Sequence, residues 1–224
     1  MIEGTMIVDS MTHEEVYKEL ERDRESMHRW FAHQLDANRR RILKSPKFPV
    51  VLWFDHTTPR KNRYLFYCRI FDKHKSKIIV TNVALRSMPD GIAVYMTWPV
   101  KNDTIEPMVY LPHVFKQYAL PARCNVKKKG VELIKHFLVR NSRGIDSHNQ
   151  QVVGKSVRHN GQDHLSCCTD EGILLGHMEG NIYVANTFIT YEMCGIAQKK
   201  EFEPKRDNIP TDFDIYEAEK LHKL

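Results

Sequence analysis

The sequence predicts an α+β fold with one long N-terminal helix, two antiparallel β-meanders and two short central helices. The helix prediction depends on a capped segment whose apolar residues recur every three to four positions. The meander predictions depend on short runs of β-branched and aromatic residues, with turn signals spaced too closely for β-α-β units. The 42% hydrophobic share can support a core and excludes collagen-like and wholly disordered proteins.

The N-terminal helix has a clear beginning and a clear end. Thr12 and Glu15 have the spacing of a capping box, in which each side chain satisfies a free backbone N–H of the other. The helix should run to about Lys44, because Pro46 cannot continue it. Its apolar stripe consists of Val16, Leu20, Met27, Phe31, Leu35 and Ile42. The stripe is suited either to the protein's own sheet or to a second copy of the chain.

The remaining elements follow from composition and turn residues. The first meander is predicted at 50–55, 63–71, 77–85 and 91–98, and the second at 151–159, 164–169, 172–178 and 181–189. The central helices are predicted from Pro112 to about Leu120 and from Val131 to Asn141. We expect a flexible tail at 1–11, a single domain at 12–198 with an alternative subdomain boundary near 145, and a charged tail at 199–224.

Positive charge is concentrated in the middle of the chain. Residues 36–160 carry 24 Lys and Arg against 8 Asp and Glu, whereas both ends are acidic. Such a basic region is typical of proteins that contact phosphate, unless the acidic ends cover it. The candidate nucleic-acid-binding residues are Arg39, Arg40, Arg41, Arg60, Lys61, Arg63, Lys127, Lys128 and Lys129. Tyr64, Phe66 and Tyr67 are candidates for stacking on bases.

The inventory of titratable residues favours chemistry without a metal. The sequence contains no phosphate-binding glycine loop, no nucleophile elbow and no zinc-type cysteine pairs, and we expect no metal and no cofactor. His, Tyr and Arg are the residue types that cleave phosphodiesters without a metal, as general acid, general base and charge stabiliser. The candidate catalytic residues are His113, Tyr118, His136, Arg140 and His164. Each of them, taken alone, is more commonly a structural or surface residue.

Two segments resemble a group of bacterial hypothetical proteins of similar length. The first is Arg60-Lys61-Asn62-Arg63-Tyr64-Leu65-Phe66, and the second is His113-Val114-Phe115-Lys116-Gln117-Tyr118. The chain departs from the group at Gln117, where the group has arginine. The resemblance covers about the first 140 residues. The resemblance implies a bacterial protein and does not indicate an activity.

Two functional hypotheses are developed from the sequence, and a third, an enzyme that acts on a small molecule, stays open because a sequence does not show pockets. The first is a basic protein that binds nucleic acid, with RNA favoured, and that acts as a metal-independent ribonuclease. The alternative is a non-catalytic interaction module or homo-oligomeric assembly protein, which forms a homodimer through the N-terminal helix. Five cysteines without metal-site spacing predict reduced thiols in a cytoplasmic protein. No apolar run reaches the roughly 20 residues that a membrane-spanning helix needs, so we expect no membrane partner.

Overall fold

The computed structural model describes residues 7–74, 78–97, 107–141, 144–147 and 164–209. The fold is of the α+β class, and its strand pairing is mostly antiparallel. The chain forms two compact units. Unit 1 comprises residues 1–86 and 94–105, and unit 2 comprises residues 87–93 and 106–224.

Unit 1 begins with three helices and continues into strands. The helices are α1 (His13–Glu21), α2 (Arg24–Ala37) and α3 (Arg39–Leu43). The strands are β1 (Val50–Thr57), β2 (Arg63–Ile70), β3 (Ile78–Met88) and β4 (Gly91–Thr97), in the order β1-β2-β3-β4. Unit 1 contains β3 up to Arg86 and β4 from Val94 onward. β2 pairs antiparallel with both β1 and β3. The predicted single long helix is therefore wrong. The α-helix is interrupted at Arg22–Asp23, where the backbone N–H groups bond to carbonyls three residues back, and again at Asn38.

The apolar stripe of the N-terminal helices packs on the sheet of the same unit. The Phe31 ring stacks on Phe66 with 5.0 Å between centroids, and Met27 is fully buried beside it. Val16 and Leu20 are also inaccessible to solvent. The predicted homodimer depended on this stripe being free to meet a second copy. Since its central residues are buried within unit 1, that prediction loses its structural argument.

Residues 7–11, which we expected to be part of a flexible tail, are tied to unit 1. The buried Arg86 guanidinium donates hydrogen bonds to the backbone carbonyls of Val8, Asp9 and Met11. Arg86 also donates to the Tyr95 hydroxyl at 3.0 Å. A guanidinium has five N–H donors in a fixed fork, so one arginine can hold several carbonyl oxygens of an irregular segment.

The described part of unit 2 contains three α-helices and five strands. The helices are α4 (Pro112–Ala119), α5 (Gly130–Asn141) and α6 (Ile196–Asp207), so both central helices lie where the sequence predicts them. The strands are β5 (Met108–Tyr110), β6 (Gly144–Ser147), β7 (His164–Thr169), β8 (Ile173–Glu179) and β9 (Ile182–Ile189), in the order β5-β9-β8-β7-β6. β5 runs parallel to β9, a pairing that an all-antiparallel meander does not contain. The predicted strand 151–159 lies outside the described residues.

Helix α6 occupies part of the segment that the sequence assigned to a charged tail. Phe202 is fully buried in a cluster with Cys168, Ile173, Tyr191 and Cys194. A buried aromatic side chain contributes a few kcal/mol of apolar burial, about 1.5–3 kcal/mol for a phenylalanine. Phe202 thus anchors a helix whose other residues are mostly charged.

Candidate active site

Aromatic packing in unit 2 sets α4 and α5 side by side. The Phe137 ring meets Tyr118 edge-on at 5.0 Å and Phe115 at 5.3 Å. Phe188 of β9 meets the Tyr118 ring at 5.3 Å, again edge-on. Edge-to-face pairs at these distances are a favoured aromatic geometry. This packing holds the Tyr118 hydroxyl next to the side of α5 that carries His136.

Three of the predicted catalytic residues meet at this point. The Tyr118 hydroxyl lies 3.1 Å from His136 Nδ1. Arg140 follows His136 by four residues and so lies on the same side of α5. Arg140 Nε lies 3.2 Å from Glu171 Oε1, and the Tyr118 hydroxyl donates to Glu171 Oε2 at 2.5 Å. Glu171 thus joins all three, although the sequence analysis did not select it.

A buried asparagine holds the turn that carries Glu171. Asn141 is 1% exposed, and its Nδ2 donates to Glu171 Oε2 at 3.2 Å. Its Oδ1 accepts from the Glu171 backbone N–H at 3.2 Å and lies 2.7 Å from the buried Thr169 hydroxyl. Tyr118, His136, Arg140, Asn141 and Glu171 are called the base cluster below. Sequence reasoning interpreted Asn141 only as a helix end and Glu171 only as a turn residue.

The hydrogen bonds of the base cluster determine which nitrogen of His136 carries a proton. Tyr118 has one hydroxyl proton, and it is donated to Glu171. The Tyr118 oxygen therefore accepts at its other contact, so His136 Nδ1 is the donor there. In the neutral ring the proton is then on Nδ1, and Nε2 holds a lone pair. Within the described residues, Nε2 makes no hydrogen bond, and the His136 side chain is half-buried.

The surroundings of His136 favour its neutral form. Partial burial lowers its pKa below the usual 6.5, and the positive charges of Arg140 and Lys128 lower it further. Glu171 opposes them with a smaller effect. A neutral imidazole with a free nitrogen at pH 7 is a suitable general base.

Neither Tyr118 nor Cys124 is suited to act as a nucleophile. Tyr118 is fully buried, and burial together with Glu171 raises the pKa of its hydroxyl far above 10. Burial and the Glu171 charge raise the pKa of the Cys124 thiol to about 11. Both groups therefore stay protonated at neutral pH, and the attacking nucleophile of thiol chemistry is the thiolate.

Two predicted catalytic histidines are not part of the base cluster as described. His113 is exposed in the first turn of α4 and, within the described residues, makes no hydrogen bond to Tyr118 or His136. Five residues of helix rotate a side chain by about 140°, which directs His113 away from the Tyr118 side of α4. The backbone of His164 begins β7 opposite His177, and its side chain lies outside the described residues.

The predicted nucleic-acid-binding residues fall into two groups. Arg60 and Arg63 already have carboxylate partners, because Arg60 binds the buried Glu19 at 2.6 Å and Arg63 binds Asp55 through two nitrogens. The other group is exposed and, in the described part of the chain, forms no ion pair. It consists of Arg39, Arg40, Arg41, Lys61, Lys127, Lys128 and Lys129.

The three aromatic residues predicted to stack on bases are buried. Tyr64 and Phe66 are 0% and 1% exposed on the helix side of the unit 1 sheet, and Tyr67 is 4% exposed on the other side. That prediction is wrong, because strand β2 is interior and both of its faces are covered.

Comparisons with protein-family models, with curated proteins and with solved structures found no match. The resemblance to the bacterial group of similar length therefore stays a prediction. Across the described ranges, no helix is both long enough and apolar enough to cross a membrane.

Proposed function

We propose that the protein binds RNA and cleaves it without a metal, with His136 as the general base. One arrangement carries the proposal: Tyr118 donates to Glu171 and lies against Nδ1 of the half-buried His136, and Nε2 of this ring makes no hydrogen bond to the described residues. The same logic operates where a carboxylate orients a catalytic imidazole directly. Here a tyrosine hydroxyl stands between the carboxylate and the ring.

The proposed reaction is an internal transfer on the RNA backbone. His136 Nε2 removes the proton of a 2′-hydroxyl, and the 2′-oxygen forms a bond to the adjacent phosphorus. The bond from phosphorus to the 5′-oxygen breaks, and that oxygen takes a proton from water. The hydroxide left behind takes the proton from the His136 imidazolium, which returns the ring to its neutral form. The products are a 2′,3′-cyclic phosphate and a free 5′-hydroxyl. Tyr118 touches no substrate in this scheme and serves as a positioning residue.

In this proposal Arg140 stabilises the extra negative charge of the transition state. Its Nε binds Glu171, while its side chain is 43% exposed. Its two terminal nitrogens make no further hydrogen bond within the described residues. A guanidinium held at one edge presents the rest of its fork to a phosphate in a fixed orientation.

The test is a gel assay with labelled single-stranded RNA in EDTA at low and moderate salt. We expect the parent protein to cleave the RNA. The cleavage rate should fall by at least about 100-fold in His136→Gln, because a general base contributes that much. The rate should not change in His113→Ala. His113 is the matched control, since it is a histidine on the neighbouring helix outside the base cluster. Cleavage that survives in His136→Gln would overturn the assignment, and an absence of cleavage in the parent would overturn the function.

A further inference from the structure

One exposed side of α5 carries cations on both flanks of His136. Glu132, His136 and Arg140 recur every four residues, which places them about 6 Å apart along one side of the helix. Lys128 lies just before the helix, exposed, and its charge acts on both Glu132 and His136. These four residues are called the α5 face below.

The only carboxylate of the α5 face is neutralised by a neighbour. Lys135 Nζ lies 2.7 Å from Glu132 Oε1. Arg140 is likewise paired with Glu171, through Nε alone, and 43% of its side chain is exposed. The uncompensated positive charge of the α5 face is therefore that of Lys128, while Arg140 on the other side of the histidine offers an exposed guanidinium as a hydrogen-bond donor.

We propose that the α5 face is a binding track for an extended single strand of RNA, with the reacting linkage at His136 and neighbouring phosphates at Lys128 and Arg140. His136 and Arg140 are about 6 Å apart along the helix, which is close to the spacing of successive phosphates in an extended strand. Lys128 lies eight residues before His136 and so meets a phosphate further along the strand. A half-buried imidazole reaches only a backbone that bends toward it, and a single strand bends more easily than a duplex. The inference rests on the proposed function and names its substrate class.

The experiment separates binding from cleavage. Fluorescence anisotropy with a labelled single-stranded oligoribonucleotide in EDTA is measured in the His136→Gln background, in which the strand stays intact. Loss of one phosphate contact changes the slope of log K against log salt by about 0.7 for single strands. We expect Lys128→Ala and Arg140→Gln each to reduce the slope by about this amount, and Lys200→Ala to leave it unchanged. Lys200 is the matched control, because it is an exposed lysine of unit 2 on α6.

The outcomes distinguish the track from the chemistry. An unlabelled RNA duplex of the same sequence should compete poorly with the single strand. The track is overturned if Lys128→Ala and Arg140→Gln bind with the parental salt slope, or if the duplex competes as well as the single strand. If the salt slopes change as expected but the parent protein cleaves no RNA, the track stands and the proposed cleavage fails. Lys128 is exposed and precedes the helix, so Lys128→Ala should fold normally. This variant therefore still tests the binding track if Arg140→Gln fails to fold.

Discussion

Replacing Asp23 by alanine should cost more stability than any surface change in unit 1. Asp23 stands before α2, where an aspartate usually caps the helix, yet its side chain makes no cap hydrogen bond. Instead its Oδ2 accepts from Thr58 at 3.0 Å, from Asn62 at 2.7 Å and from Tyr64 at 3.2 Å. One carboxylate oxygen thus links the α1–α2 junction to the turn between β1 and β2.

The size of the loss follows from the burial of the three donors. Thr58, Asn62 and Tyr64 are 2%, 1% and 0% exposed, so no bulk water can replace the carboxylate without rearrangement. Each buried donor left without an acceptor costs about 1–3 kcal/mol. We expect Asp23→Ala to lower the free energy of unfolding by about 3–5 kcal/mol, a large part of the 5–15 kcal/mol typical of a domain.

Urea unfolding followed by tryptophan fluorescence measures this loss, because Trp30 and Trp53 lie in unit 1. Asp23→Asn keeps an acceptor oxygen and should lose about half as much as the alanine variant. Glu21→Ala is the matched control, since Glu21 is half-exposed and pairs with the half-exposed Arg24. An Asp23→Ala variant within about 1 kcal/mol of the parent, with an unchanged denaturant slope, would refute the reasoning.

Three further predictions concern unit 2 and pH. Phe202→Ala should lower the free energy of unfolding by about 3–5 kcal/mol and release α6 to proteolysis, whereas a charged tail would show neither change. Gly176→Ala should strongly lower the midpoint temperature of thermal unfolding, because a Cβ there would collide with the Val184 carbonyl oxygen. An unchanged midpoint temperature would show that β8 and β9 do not approach so closely. Burial lowers the pKa of both His56 and His136 below 6.5, so below that pH the unfolded chain binds more protons and stability should fall. Urea midpoints at pH 7.5 and 5.5 measure this fall, which should shrink in His56→Gln and would be absent if both rings charged freely in the folded state.

Local sequence signals predicted the elements that depend on neighbouring residues. The Thr12–Glu15 capping box begins α1 as expected, and Pro112 begins α4. The break at Arg22–Asp23 is different, because the carboxylate that accompanies it is bound by residues 35 to 41 positions away. Helical periodicity alone continues through that point and carries no sign of the break.

The candidate site likewise contains residues that local sequence signals predicted and residues that depend on distant parts of the chain. The spacing of His136 and Arg140 predicts that they share one side of a helix, and Tyr118 was selected because tyrosine is one of the residue types that cleave phosphodiesters without a metal. Glu171 could not be selected, since its contacts with Asn141 and Tyr118 span 30 and 53 residues and depend on how β7 and β8 pack. A lone glutamate in a turn is usually a solvated residue.

The central claim is that the base cluster leaves the Nε2 nitrogen of His136 unprotonated, and NMR of the ring nitrogens tests it most directly. In protein labelled with ¹⁵N at histidine, with His136→Gln used to assign the signal, we expect the Nδ1–H tautomer at pH 7. We also expect a pKa below 6.5. Tyr118→Phe should remove the preference for that tautomer. A ring that carries its proton on Nε2, or that titrates above 6.5, would contradict the account.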